Sequence, residues 1–464
     1  MSNSDARREE KFKLMTEAPI AGLVVKMALP TIAINLITSI YNMADTFFVG
    51  MINTSATAAV GVVLPLMAII QAIGFFFGQG SGINISRMLG AHNNDEASRM
   101  AATGFFSALI LCALLATSAQ FCVHQLVRVL GATPTIQPYA EEYLRYILFA
   151  APFMAASMVL NSQLRLQGNA LYSMVGIMAG GILNIGLDPL FIFKFGMGIS
   201  GAAIATAICQ FISFCLLLVG CIRAGAIPIR LRNFSPKLKQ YAEIAKAGTP
   251  SLSRQSLSSV ATTLLNVSAA PYGDAAIAAM SIVGRVMIFA GSALLGFGQG
   301  FQPICGFNYG AKRYDRVLEA FWFCAKVAAV ALVILAIAGE IFAPNIIPAF
   351  RKDDLDVIRI GTMALRLQCI AFPLMSWSIL SSMLLQNIGV FVSATVLSFA
   401  RQGLFFMPLI LVLPRIFGFT GVLFAQPIAD LLTFCLALPL GLRVLNDIRR
   451  RSREEQELIE EKGQ

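Results

Sequence analysis

The chain has 464 residues, of which 57% are hydrophobic and only 13% charged, with a formal net charge of +10. Soluble domains carry about twice that charged fraction, and no water-exposed fold needs so much apolar residue, so a soluble enzyme is excluded. The basic residues fall in short clusters between apolar runs, which argues against a nucleic-acid partner and points to a lipid bilayer.

In chain order, Met1 to Met15 is polar and charged with no separate apolar core, so no cleavable signal is expected. Apolar runs long enough to cross a hydrocarbon layer of about 30 Å then follow at 22–50, 57–80, 98–121, 138–163, 170–194 and 198–222. After a basic stretch they resume at 243–269, 276–300, 318–342, 358–384, 391–414 and 418–442. The predicted fold class is an all-α membrane protein of twelve transmembrane helices in two six-helix lobes. The connecting stretch from Arg223 to Ala242 carries Arg223, Arg230, Arg232, Lys237 and Lys239. It divides the chain into residues 1–225, an N-lobe, and 226–464, a C-lobe with a cytoplasmic tail.

Positive loops stay cytoplasmic. One set of connections holds Arg7, Arg8, Lys11, Lys13, Arg87, Arg99, Arg165, the 223–239 cluster, Lys312, Arg313, Arg316 and the arginines at 449–451 and 453. The opposite set holds Arg128, Lys194, Arg351, Lys352 and Arg415. Both termini are therefore expected in the cytoplasm, as an even number of spans requires. The nine cysteines form no CxxC pair and lie mostly within apolar runs, where they serve as packing residues.

A shift of 220 positions aligns FGQGSGINISRMLGAHNND from Phe77 with FGQGFQPICGFNYGAKRYD from Phe297. The same offset pairs Lys26 with Lys246, Pro30 with Pro250, Gly198 with Gly418 and Gly201 with Gly421. One offset held across a whole half indicates duplication. Six spans per half insert both copies with the same orientation, a parallel repeat of the kind secondary transporters use around a central cavity.

Charges deep in a span are costly and mark cavities or partners. Asp45 lies about 8 Å below the outer end of the first predicted span, Asp188 about 9 Å below that of the fifth, and Thr206 about 12 Å into the sixth, at 1.5 Å per residue. Asn184 precedes Asp188 by four residues and Tyr41 precedes Asp45 by four, so each pair shares a helix face. Two carboxylates, an amide and a hydroxyl at one depth suit a hard cation such as Na⁺. Alternatively, two carboxylates in one dry site can hold a proton between them. Pro189 removes a backbone N–H beside Asp188 and is a candidate hinge. In the second half, Arg401 and Asp430 both fall near mid-membrane, where a buried pair is expected to lock helices or to serve coupling or substrate binding. Arg254 and Arg285 lie in the first two spans of that half and make it cationic, and Gln255 follows Arg254.

The FGQG…GA repeat, ALPT before YNMADTFFVG, and NIGLDPLFIF followed by GISGAAIAT resemble the multidrug and toxic compound extrusion (MATE) family. The stretches GFGQGFQPICGFNYGAKRYDRV, RQGLFFMPLILVLP and AQPIADLLTF resemble its MepA-like bacterial branch. The resemblance covers essentially the whole chain. It implies a two-bundle antiporter of the bacterial cytoplasmic (inner) membrane that exports small amphipathic, often cationic, molecules against inward Na⁺ or H⁺. It also implies a cation site at Asp45, Asn184, Asp188 and Thr206, with Tyr41 nearby. Another branch carries a membrane carboxylate where this chain has Arg254 and Gln255, so coupling is expected to run through the first half. A monomer with no cofactor beyond the coupling ion is expected. With two histidines and no nucleophile–base or Walker motif, neither an enzyme nor an ATP-driven pump is expected. A lipid or oligosaccharide flippase, suited to a cationic cavity, is the alternative.

Overall fold

A computed structural model describes residues 3–224, 227–350 and 354–463, and its regular structure is helical throughout. Hydrocarbon offers no hydrogen-bond partners, so a backbone this apolar must satisfy itself within helices. The short α1 (Asn3–Glu17) precedes α2 (Ile20–Gly50), α3 (Thr54–Gly90), α4 (Asn94–Phe121), the brief α5 (Val123–Val129) and α6 (Gln137–Leu166). Then come α7 (Ala170–Pro189), extended by a π turn over Leu190–Lys194, and α8 (Gly198–Arg223). The second half opens with α9 (Leu238–Ala269), α10 (Asp274–Gly310) and α11 (Tyr314–Phe350). It continues with α12 (Leu355–Ala371), α13 (Leu374–Ile388) and α14 (Phe391–Phe399), which runs through a π segment over Ala400–Phe406 into α15 (Met407–Phe417). The last helix is α16 (Phe419–Gly463).

Among the described residues, ten helices are long and apolar enough to cross a membrane, and α12 with α13 makes an eleventh if their 53° bend is one broken span. Pro373 lies at that bend and withholds a backbone N–H. The expected twelve is thus not reached on composition. α9 has the length, at 32 residues, but Lys239, Glu243 and Lys246 crowd its first turns and Arg254, Gln255 and many Ser and Thr its middle. Arg351 and Lys352, counted among the outer loop cations, lie outside the described residues, as does the expected lobe boundary at Gly225 and Ala226.

The helices run past the apolar stretches that announce them. α3 continues to Gly90 and α10 to Gly310, because the FGQG segments face protein rather than lipid: Gly78, Gln79 and Gly80 are buried, as are Gly298 and Gly300. Arg87 accordingly belongs to the last turn of α3, and Arg165 is no loop cation but is buried, 2% exposed, in the last turn of α6.

The 220-residue offset recurs in the backbone. His92 and Lys312 are non-glycine residues with left-handed φ of 56° and 59°. Behind them, Asn93 N donates to Met88 O and Arg313 N to Asn308 O, each at 2.8 Å, the pattern of a Schellman helix end. Gly198 and Gly418 have φ of 55° and 60°. The two helix ends also cross one another. A Cβ on Gly90 would lie 2.1 Å from Phe307 O, and one on Gly310 2.1 Å from Arg87 O.

Contacts between the halves run from this end to the middle of α2 and α10. α2 meets α10 through Thr31 Oγ1 to Gly296 O (2.6 Å), Asn35 Nδ2 to Gln299 Oε1 (3.2 Å) and the Ser39–Ser292 hydroxyls (3.0 Å). α3 meets α9 through Asn84 Nδ2 to Glu243 O (3.2 Å), and Gly80 and Gly248 would each put a Cβ 2.4 Å from a carbonyl across that contact. Small residues permit such close approach between membrane helices. α1 straps the end shut. Lys11 donates to Asn169 and Ala224 in the first half, while Asn308 and Arg316 of the second donate to the carbonyls of Met15 and Ala18. The molecule is therefore sealed at the end where α3 and α10 finish.

Candidate functional site

The 3.6-residue period of α2 and α7 turns Tyr41 with Asp45, and Asn184 with Asp188, toward α8. Asp188 is fully buried and Asn184 nearly so; Tyr41, Asp45 and Thr206 are half-buried. Asn184 Nδ2 donates to Asp188 Oδ1 at 3.1 Å and to Thr206 Oγ1 at 3.4 Å. The carboxyls of Asp45 and Asp188 come within hydrogen-bonding reach of each other. Asp45 Oδ1 and Asp188 Oδ2 are nevertheless buried with no donor among the described residues. Ionised carboxylates only accept, so this geometry calls for a shared proton or a bridging cation. The amide nitrogen of Asn184 faces its two neighbours, which serves a proton-sharing pair; a flipped amide would offer its oxygen to Na⁺ instead.

All five residues singled out in the first half are thus brought together. Gly181 makes room for the Tyr41 ring, since a Cβ there would stand 3.2 Å from it. Pro189 follows Asp188 at the end of α7, where its missing N–H leaves the Ile185 carbonyl without a helical partner and a π turn begins. The sequence reading missed Tyr143. It is 1% exposed on α6 and close enough to Asp45, Asp188 and Tyr41 to feel all three. A tyrosine in the run EEYLRYILF carries no signal of its own, and only the packing of α6 against this cluster selects it.

A cavity of about 110 Å³ runs beside the cluster, with Tyr41, Asn184 and Thr206 at one end and Asn35, Arg165 and Gln299 at the other. Since one water takes roughly 10–15 Å³ on such a measure, it holds a small polar group and its waters, not a whole amphiphile.

The second-half residues divide. Arg401, in the π segment, pairs with Asp430 of α16 at 2.7 Å, and Gln426 donates to the same carboxylate oxygen at 2.9 Å. The expected pair is present, joined by a contact from Arg401 Nη2 to Met375 Sδ at 3.3 Å. Arg254, Gln255 and Arg285 join neither cluster. Arg254 and Gln255 are half-buried on α9, Arg285 is exposed on α10, and neither arginine makes an ion pair among the described residues.

Comparison with known proteins bears on this arrangement. The profile of the MatE family matches residues 30–190 and 250–412. The multidrug export protein MepA of Staphylococcus haemolyticus is 27% identical over 436 residues, 93% of this chain and 95% of that one. MepA of Staphylococcus aureus is 26% identical over 455 residues, 98% of this chain and 100% of that one. Among solved structures, a MATE protein in complex with MaL6 superposes with a TM-score of 0.89 at 24% identity, covering 95% and 99% of the two chains. A multidrug resistance MATE transporter in its outward-facing conformation gives 0.87 at 23% identity, covering 94% and 98%. A MOP superfamily transporter from Pyrococcus furiosus, described as having a binding pocket of reverse polarity, gives 0.87 at 24%, again covering 94% and 98%.

Proposed function

We propose that this chain, which belongs to the MatE family, exports small amphipathic and often cationic compounds across a bacterial cytoplasmic membrane in exchange for Na⁺ or H⁺. The MepA relatives, matched over nearly their whole length, carry the name of multidrug exporters. The observation that carries the coupling is the facing pair Asp45 and Asp188, each with a buried carboxylate oxygen that no donor among the described residues satisfies.

The finer architecture belongs to the same proposal. α9 is the twelfth span: its charged first turns sit at the membrane surface, and its Ser/Thr-rich remainder faces the cleft rather than lipid. The lobes are residues 1–225 and 226–464. Lys and Arg bias places both termini in the cytoplasm, so the sealed end is cytoplasmic and the cleft faces outward. The protein works as a monomer.

In this state Asp45 and Asp188 are reached from the outside. When their charge is neutralised, by Na⁺ held with Asn184 and Thr206 or by a shared proton, the two carboxyls cease to repel and α2 closes on α7. Tyr41 and Asn184 also line the small cavity beside the pair, so closure lowers affinity for the polar end of a substrate there, and Pro189 absorbs the change in helix direction. The ion drives the cycle only through this difference in affinity between states.

The test is ethidium efflux from proteoliposomes under an imposed Na⁺ or proton gradient. Wild type exports the dye under one gradient, which names the ion, and Asp45→Asn and Asp188→Asn, folded normally, do not. If wild type exports none under either gradient, the reading fails, and labelled lipid-linked headgroups, the cargo of a flippase, are the next substrates to try.

A further inference from the structure

A groove between α11 and α12 belongs to neither charged cluster. It has a volume of about 460 Å³ and is lined by Glu340, Arg359, Thr362 and Arg366 among apolar side chains. Sites that take a whole ligand run from roughly 300 to 1,000 Å³. The apolar side chains along it are exposed, Ile337 and Ile341 on α11 at 55% and 61%, Met363 and Ile370 on α12 at 49% and 69%. Such surface on a membrane helix meets lipid chains. Arg359, Met363, Arg366 and Ile370 follow one another at helical spacing, so two arginines stand on the lipid-facing stripe. Charge there is costly without a partner. Arg366 has one: its Nε donates to Glu340 O at 3.2 Å and lies 3.7 Å from the carboxylate. Arg359 makes no ion pair or hydrogen bond among the described residues. Glu340 Oε1 and Thr362 Oγ1 are buried, also with no partner among them. Two guanidiniums against one carboxylate leave one positive charge over.

We propose that this groove binds the headgroup of one anionic phospholipid with a hydroxyl-bearing head, of which phosphatidylglycerol is the simplest. The phosphate sits between Arg359 and Arg366, seven residues and about 10 Å apart along α12, with the Thr362 hydroxyl between them as a third donor. The head crosses the groove and its hydroxyl donates to Glu340 Oε1, while an acyl chain follows the stripe of Met363 and Ile370. The single negative charge of the phosphate balances the surplus. Depth agrees with this. The 37 residues of α11 span about 55 Å against a hydrocarbon layer of about 30 Å, so the centred helix overhangs by about 12 Å at each end. Glu340 is about 15 Å from the end of α11 at Phe350, and Arg366 and Arg359 are about 16 and 6 Å from the start of α12 at Leu355. The first two stand at the hydrocarbon boundary and Arg359 among the headgroups. α11 starts just after the sealed end, so the groove lies toward the opposite side of the membrane. The inference goes beyond the export reading; only the name of the leaflet, the outer one, rests on the orientation proposed above.

Two explanations compete: that Glu340 and Arg366 only staple α11 to α12, or that a second copy of this chain covers the groove. Arg359 separates them from the proposal, because it is exposed and staples nothing. Native mass spectrometry of the purified full chain in detergent reads lipid adducts and oligomers together. Titrated with phosphatidylglycerol or with phosphatidylcholine of the same acyl chains, wild type takes its first glycerol lipid about tenfold more tightly. Arg359→Gln loses about tenfold in that affinity, and Arg359→Lys retains most of it. Arg415→Gln, which removes an exposed cation from the last turn of α15 outside the groove, leaves it unchanged. No preference in wild type, an unchanged preference in Arg359→Gln, or an equal loss in Arg415→Gln overturns the site. A wild-type dimer that Arg359→Gln dissociates assigns the groove to a second copy instead. Displacement of the lipid by sn-glycerol 1-phosphate at equal concentration makes the ligand a soluble phosphate and overturns the lipid. None of these titrations uses dye or an ion gradient, so their failure leaves the export reading standing.

Discussion

Two ionisable pairs in this molecule have opposite characters. Asp45 and Asp188 face each other as two carboxyls, each with a buried oxygen that no donor among the described residues satisfies, whereas Arg401 and Asp430 complement each other and Gln426 donates to Asp430 as well. The first pair gains from an added cation and the second is complete without one. Removing one member of a buried pair strands the other's charge. Arg401 is 30% exposed and Asp430 6%, so water relieves part of the cost, and Asp430→Ala is expected to destabilise by about 1–3 kcal/mol. The double variant Arg401→Met/Asp430→Leu, which removes both charges, should melt close to wild type. Thermal unfolding in detergent measures both, and a single variant as stable as wild type would remove the supporting role.

At the scale of elements, the crossing of α3 and α10 depends on two absent side chains. A Cβ on Gly310 would lie 2.1 Å from the Arg87 carbonyl, and backbone cannot step aside as a flexible side chain can. Gly310→Ala is therefore expected to force the helix ends apart and to lower the melting temperature by several degrees. Gly61→Ala, on the same α3–α10 pair of helices but with nothing within 4 Å of its Cβ, should be neutral or stabilising by up to about 1 kcal/mol. Equal melting of both variants would show that the crossing is not tight. α9 teaches a related lesson. Its 32 residues exceed the length a span requires, but its charged and hydroxyl residues keep it below the hydropathy of a span.

For the whole molecule, the sealed end makes a claim about motion. Export through a central cavity requires that end to open in turn, and the Ser39–Ser292 contact at 3.0 Å between α2 and α10 must then break. Ser39→Cys/Ser292→Cys, in a background cleared of the nine native cysteines, should cross-link on oxidation, stop dye efflux and recover on reduction. Full transport by the cross-linked protein would refute alternating opening at this contact.

The sequence alone determined the helices, their ends to within a few residues on most spans, the 220-residue duplication and the cluster of Tyr41, Asp45, Asn184, Asp188 and Thr206. Each of these follows from one-dimensional patterns: apolar run length, a constant offset, and depth counted at a fixed rise per residue. Tertiary structure alone decided what those patterns do not encode. It moved Arg165 from a loop into the buried lining of the cavity, buried Tyr143 on α6, carried α3 and α10 beyond their apolar runs, and left Arg254 without an ion pair among the described residues. A side chain's surroundings are set by helices distant in sequence, and the contact of α6 with α10, or of α9 with α3, leaves no trace in the spacing of residues along either one.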